Sequence, residues 1–206
     1  MIIIEKTIHL LYNLLMYLYI INGGYMKVSV GVSNHHVHLT HDSILKLFGS
    51  ELVIDHNLTQ MNNYASKNFV TIKTDKSTIE HVRVIGPARG YNQIEISKTD
   101  AYKLGINPPV RSSGDLLGSE VVTLIGPKGS IKTTGCIIAD RHIHITQELK
   151  DMYKLPDTVK IKIDNEKKGI IEAHLKISNE AVFELHIDTD DANAFLLSNG
   201  DFLDII

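Results

Sequence analysis

Two short segments of this 206-residue chain place histidines in the same way: SNHHVHLT at Ser33–Thr40 and ADRHIHIT at Ala139–Thr146. In each, two histidines flank one aliphatic residue, and an aliphatic residue and a threonine follow. Residues i and i+2 of a β-strand point to the same face. On strands, His36 with His38 and His142 with His144 each present two imidazoles side by side. Two convergent imidazoles are the usual start of a zinc, iron or manganese site. One such pair arises easily by chance in a chain with 11 histidines. Two pairs in matching contexts are not explained by histidines scattered as ordinary polar strand residues.

Each pair needs a further ligand. FELHIDTDDANA offers His186, followed by Asp188, Asp190 and Asp191, which are candidates to hold imidazoles by hydrogen bonds. GPARGYNQIEIS offers Glu95 inside a strand. Alone, Glu95 reads as a solvent-facing carboxylate and His186 as a surface strand residue. Arg89 sits in the turn GPARG, where a planar guanidinium suits two-point capture of phosphate or carboxylate. Arg111 and Arg141 are the next candidates for that role. Cys136, the single cysteine, is a nucleophile in principle, but its apolar context GCIIA reads as a buried structural side chain.

The elements that must carry these residues are mostly strands. KVSVGV, FVTIKT, EHVRVIG, QIEIS, EVVTLIG, SIKTTGCII, TVKIKID, IIEAHLKIS and FELHID are short, β-branched and bounded by turn residues. DSILKLF, TDAYKLG, QELKDMY and DDANAFLLS read as short helices opened by capping residues. The expected fold is mainly β: two small β-barrel domains with short capping helices, preceded by an N-terminal amphipathic helix. VRVIGPARG and VTLIGPKGS repeat a strand ending in Gly-Pro, and a short helix follows both histidine pairs, so the two domains read as related. The expected boundaries are 1–25 for the N-terminal segment, 26–135 for the first barrel and 136–206 for the second.

Residues 1–25 are almost all apolar or aromatic up to Gly23-Gly24. Glu5, Lys6, His9 and Asn13 interrupt them, leaving too short an apolar run for a membrane span. Glu5, His9 and Asn13 recur every fourth residue, as on one face of an amphipathic helix. Met26 is an alternative start that would make this segment an extension. The net charge is −3 with no basic run, which argues against a nucleic-acid partner. One cysteine excludes an internal disulfide, and the length is short for a barrel of eight β/α units.

Together SNHHVHLT, GPARGYNQIEIS, PPVRSSGDLLGS, VTLIGPKGS, ADRHIHIT and LHIDTDDANA resemble the PduL-type phosphotransacylases (phosphate propanoyltransferases), in the family's order from about Val28 to Ala194. His35 stands where that family usually has Arg, and Ser112 where an acidic residue is common. The resemblance implies two β-barrels, two divalent metal ions per chain, usually zinc, and acyl exchange between coenzyme A and phosphate. The acyl-CoA would be propanoyl-CoA or acetyl-CoA, in direct transfer without an acyl-enzyme. His36 and His38 would hold one metal together with the CoA sulfur. Glu95, His142, His144 and His186 would hold the other, and Arg89 would face phosphate. The resemblance also raises a homodimer, a cytoplasmic or bacterial-microcompartment location linked to propanediol utilisation, and contact with shell or core proteins through the N-terminal segment. Two other readings stand beside it. HIHITQE, with Glu148, has the H-x-H-x-x-x-E spacing of a cupin-type metal enzyme, although Glu148 falls in an expected helix. A non-catalytic, metal-stabilised structural protein would keep the same histidines.

Overall fold

The computed structural model describes residues 26–60, 62–179 and 181–206; the expected helix over 1–25 lies outside them. Strands dominate, as the sequence predicts, and close into two six-stranded barrels. One contains β2 (His36–His38), β4 (Tyr64–Lys73), β5 (Thr78–Gly86), β6 (Gln93–Glu95), β8 (Glu120–Ile125) and β9 (Ser130–Ala139). Short strands β3 (Ile54–Asn57) and β7 (Val110–Arg111) flank its β4 and β9. The other barrel closes in the order β1 (Met26–Ser33), β13 (Glu184–Asp188), β10 (His142–Ile145), β12 (Gly169–Ile177), β11 (Thr158–Ile163) and β14 (Phe202–Ile205). No helix among the described residues is long and apolar enough to cross a membrane.

Alternation along each strand builds the cores. In β11, Val159, Ile161 and Ile163 are buried while Lys160 and Lys162 face out. Each fully buried aliphatic side chain of this kind contributes roughly 1.5–3 kcal/mol. Two separate clusters result, one around Val37, Ile72, Val84 and Ile94, the other around Val30, Ile143, Ile161 and Leu185.

The threonine ending both histidine motifs now has a reason. Thr40 caps α1 (His41–Phe48) by accepting from Ser43 N, and Thr146 caps α3 (Gln147–Tyr153) by accepting from Leu149 N, both at 3.2 Å. The remaining helices are α2 (Lys98–Leu104), with a capping box from Ser97 and Asp100, and α4 (Thr189–Phe195), capped by Asp188.

Strand membership differs from the expected division at 135/136, which falls inside β9. β1 pairs with β13 and β14, so it belongs to the barrel of later strands, and β9 completes the barrel of earlier ones. Each strand runs straight into a histidine strand of the opposite barrel: β1 into β2, β9 into β10. This exchange brings both histidine pairs to the junction of the barrels. Turn residues mark where strands stop, but not which strands they pair with, so the sequence division missed it. At Gly135, φ is +109° and an added Cβ would lie 2.2 Å from the Asn92 carbonyl oxygen, so β9 can pass there only as glycine.

Candidate active site

The two histidine strands have the same surroundings. β2 lies between parallel β5 and antiparallel β6; β10 lies between parallel β12 and antiparallel β13. In both cases the antiparallel neighbour supplies the third polar side chain. Glu95 is directly opposite His36, and His186 directly opposite His142. Directly opposite residues share a face and sit about 4.5–5.5 Å apart. The result is two groups, His36–His38–Glu95 and His142–His144–His186, each with its ligand atoms within 4.8 Å of one another. The resemblance assigned Glu95 to the second group; the register places it in the first, 3.6 Å from His36 Nε2 and 4.0 Å from His38 Nε2.

The donor chemistry fits divalent cations. A carbonyl oxygen can only accept, so His36 Nδ1–H donates to Asn34 O, His38 Nδ1–H to Ile85 O and His142 Nδ1–H to Asp140 O. That tautomer leaves the Nε2 lone pair of each ring for its group. Glu184 accepts from His186 Nε2–H at 2.7 Å, which leaves the lone pair on Nδ1. Gly31, opposite His186 on β1, makes room: an added Cβ would stand 3.0 Å from both Glu184 and His186. His142 Nε2 and His144 Nε2 approach to 3.1 Å. Zinc–nitrogen bonds of about 2.0–2.1 Å at tetrahedral angles would separate two such atoms by roughly 3.3 Å.

Protonation agrees with this. Burial, with the charges of His36 and Arg89, pushes His38 down to about 3. Burial pushes His142 to about 4 and, with His186 and His142, His144 to about 2. These rings are neutral at physiological pH, the form a metal requires. Burial alone would raise the Glu95 carboxyl, but His36, His38 and the Gln93 amide hold it well below the usual carboxylate range. Burial opposes a charge on His36, but the Glu95 carboxylate holds that ring above the usual imidazole range, so the first group carries a carboxylate and the second carries none.

Both groups open into one cavity of about 390 Å³, which Arg89 and Ser113 also line. The sequence profile of phosphate propanoyltransferases matches residues 29–198, a span that includes every residue of both groups. The chain belongs to the phosphate propanoyltransferase family. Proteins of that name from Thermotoga maritima and Priestia megaterium are 43% and 46% identical to it. These matches cover 87% and 84% of this chain, and 89% and 83% of the respective relatives. One from Levilactobacillus brevis is 38% identical over 87% of this chain and 89% of its own.

The other expected residues of this family member fall as follows. Arg89 reaches Ser113 Oγ at 3.4 Å, and its backbone N–H is tied to Leu39 O. Arg141 is engaged in two 2.7 Å bonds with Asp191, and Arg111 bonds Leu117 O and Val110 O; neither lines the cavity. Glu148 is exposed on α3, and His186, not Glu148, completes the group of His142 and His144. Among the described residues, Asp188, Asp190 and Asp191 hold no imidazole. Asp188 caps α4, Asp190 accepts from Thr99 N, and Asp191 takes Arg141. The imidazole partner is Glu184, two residues before His186; the period-two rule that paired the histidines would have found it. Gln93 and Ser113 also escaped notice. Gln93 is fully buried, donates to Glu95 and Ser113 Oγ, and accepts from Gly114 N, pinning the loop before β8 over the first group.

Cys136 is fully buried in the core of its barrel. Burial, with Glu120 and Asp100, pushes its thiol up to about 12. In the native protein it is expected to resist a thiol-specific reagent that modifies it promptly after denaturation. Cys136→Ala should keep most activity while costing on the order of 1–2 kcal/mol of stability for the small void. An acyl group trapped on Cys136 would overturn this.

Proposed function

We propose that this chain catalyses reversible exchange of a short acyl group between coenzyme A and inorganic phosphate: acyl-CoA plus phosphate gives acyl phosphate plus CoA. The observation that carries this reading is that both ligand groups and Arg89 share a single cavity. His36, His38 and Glu95 would hold one divalent ion, and His142, His144 and His186 another, with zinc favoured by tetrahedral nitrogen-rich donor sets. Bound there, the ions would supply Lewis-acid charge at the reacting carbonyl and a soft acceptor for the departing sulfur.

The chain's own side chains supply position and charge. Arg89 offers a fork of donors for two phosphate oxygens, and phosphate held in line becomes an effective nucleophile. A phosphate oxygen attacks the thioester carbon, the new C–O bond forms, and the C–S bond breaks with its electron pair leaving on sulfur. Ser113 Oγ accepts from Gln93 and Arg89, which leaves its hydroxyl hydrogen free to donate to an anion beside Arg89. No side-chain nucleophile is needed, in keeping with the buried Cys136.

Purified protein given acetyl-CoA or propanoyl-CoA is expected to release free thiol only when phosphate is present, and to form the matching acyl phosphate. The two acyl groups differ by one methylene, worth only about 1–3 kcal/mol of discrimination, so both should react. Thiol release independent of phosphate, or none with either donor, would overturn the reading.

A further inference from the structure

β12 runs parallel beside β10 with His142 opposite His174 and His144 opposite Lys176. Lys176 therefore shares the face of the sheet that carries the second ligand group, and it lines the cavity. It comes from one barrel; Arg89 comes from the turn after β5 in the other. Lys27, Lys150, Lys162 and Lys168 each pair with an aspartate. Among the described residues no carboxylate forms an ion pair with Lys176, although Glu95 and Arg89 both act on its charge across the cleft. Burial pushes its ammonium below the usual lysine range. A half-buried cation without a counter-ion is costly, and an incoming anion removes that cost. Two cations from opposite barrels suit a doubly charged one, and inorganic phosphate at neutral pH is largely that.

We infer that Lys176 is a second phosphate-binding cation of the cleft, acting opposite Arg89 on inorganic phosphate and on the phosphoryl end of the acyl phosphate. This rests on the acyl-CoA and phosphate reading above and adds a binding residue to it. Lysine's compact charge and three rotatable donors suit a ligand that arrives as phosphate and departs as acyl phosphate.

The test uses metal-loaded full-length wild type, Lys176→Met and Lys176→Arg. Two readouts are taken: KM for phosphate and for acyl-CoA, and the rise in Tm on adding inorganic phosphate. Lys176→Met should raise the phosphate KM about tenfold or more, as expected for one charge-assisted bond. Its acyl-CoA KM should stay within about twofold and its phosphate-dependent Tm rise should shrink. Lys176→Arg should recover most of both. A phosphate KM and Tm rise unchanged in Lys176→Met would overturn the inference. So would a rise confined to acyl-CoA KM, which would place Lys176 on coenzyme A, or loss of metal, which would place it behind the ligands. If Lys176→Met fails to fold, Lys176→Gln is read against the same criteria. Wild type that is stabilised by phosphate but transfers no acyl group would overturn the reaction while the Tm series still judges Lys176. Wild type that neither binds phosphate nor reacts would overturn both.

Discussion

Chelation of the purified chain is expected to abolish acyl transfer, by about 100-fold or more, with recovery when zinc is restored. The size follows from the two tasks assigned to the ions: charge at the carbonyl oxygen and acceptance of the leaving sulfur. Loss of one oxyanion-stabilising group alone costs about 10²–10³ in rate. Single variants should separate the sites. Glu95→Gln keeps the side-chain shape but removes the carboxylate from the first group, so its ion should be lost while His142, His144 and His186 keep theirs. His144→Ala should do the reverse. Elemental analysis of each protein therefore reads one ion where wild type reads two. Fully active metal-free protein would remove the basis for the mechanism. Loss of the second ion in Glu95→Gln would mean that the carboxylate serves the group across the cleft rather than its cross-strand neighbours.

Arg89→Ala is expected to produce the second-largest loss, on the order of 10²-fold in activity at subsaturating phosphate. Among the described residues its side chain makes one long bond, to Ser113, so the fold should stand without it. The loss should appear in phosphate kinetics, with acyl-CoA kinetics and metal content little changed. Arg89→Lys keeps the charge but not the two-point fork and should fall between wild type and Arg89→Ala. Varying phosphate and acyl-CoA separately for both variants checks this. Unchanged phosphate kinetics in Arg89→Ala would move the site elsewhere. Arg141 and Arg111 would be poor successors, since one is engaged with Asp191 and the other with Leu117 O.

Much of the site was legible before any fold was known. A period of two places both histidines of each pair on one face whatever the strands pair with, and the alternating Val159, Ile161 and Ile163 announce an inward face equally directly. The threonines after the histidines cap helices within three residues, an interaction local enough to read from the chain. Cys136 was correctly read as buried because its neighbours are apolar. Glu95 and His186 were recognised as ligand types; Glu95 was assigned with His142, His144 and His186, and the register sets it directly opposite His36.

What the linear order determined, then, is every relation that spans a few residues: which side chains share a strand face, where helices begin, which groups carry donors. What only the tertiary structure decided is pairing. Register sets Glu95 opposite His36 and His186 opposite His142. The exchange of β1 and β9 between barrels then turns two separate histidine pairs into the walls of one cavity. The same pairing sets Lys176 beside His144, across the cleft from Arg89. Strand pairing is governed by backbone hydrogen bonds and by complementary burial on both faces, and backbone groups are the same in every residue but proline. A strand's sequence therefore says which face it buries far more clearly than it says which neighbour it will take.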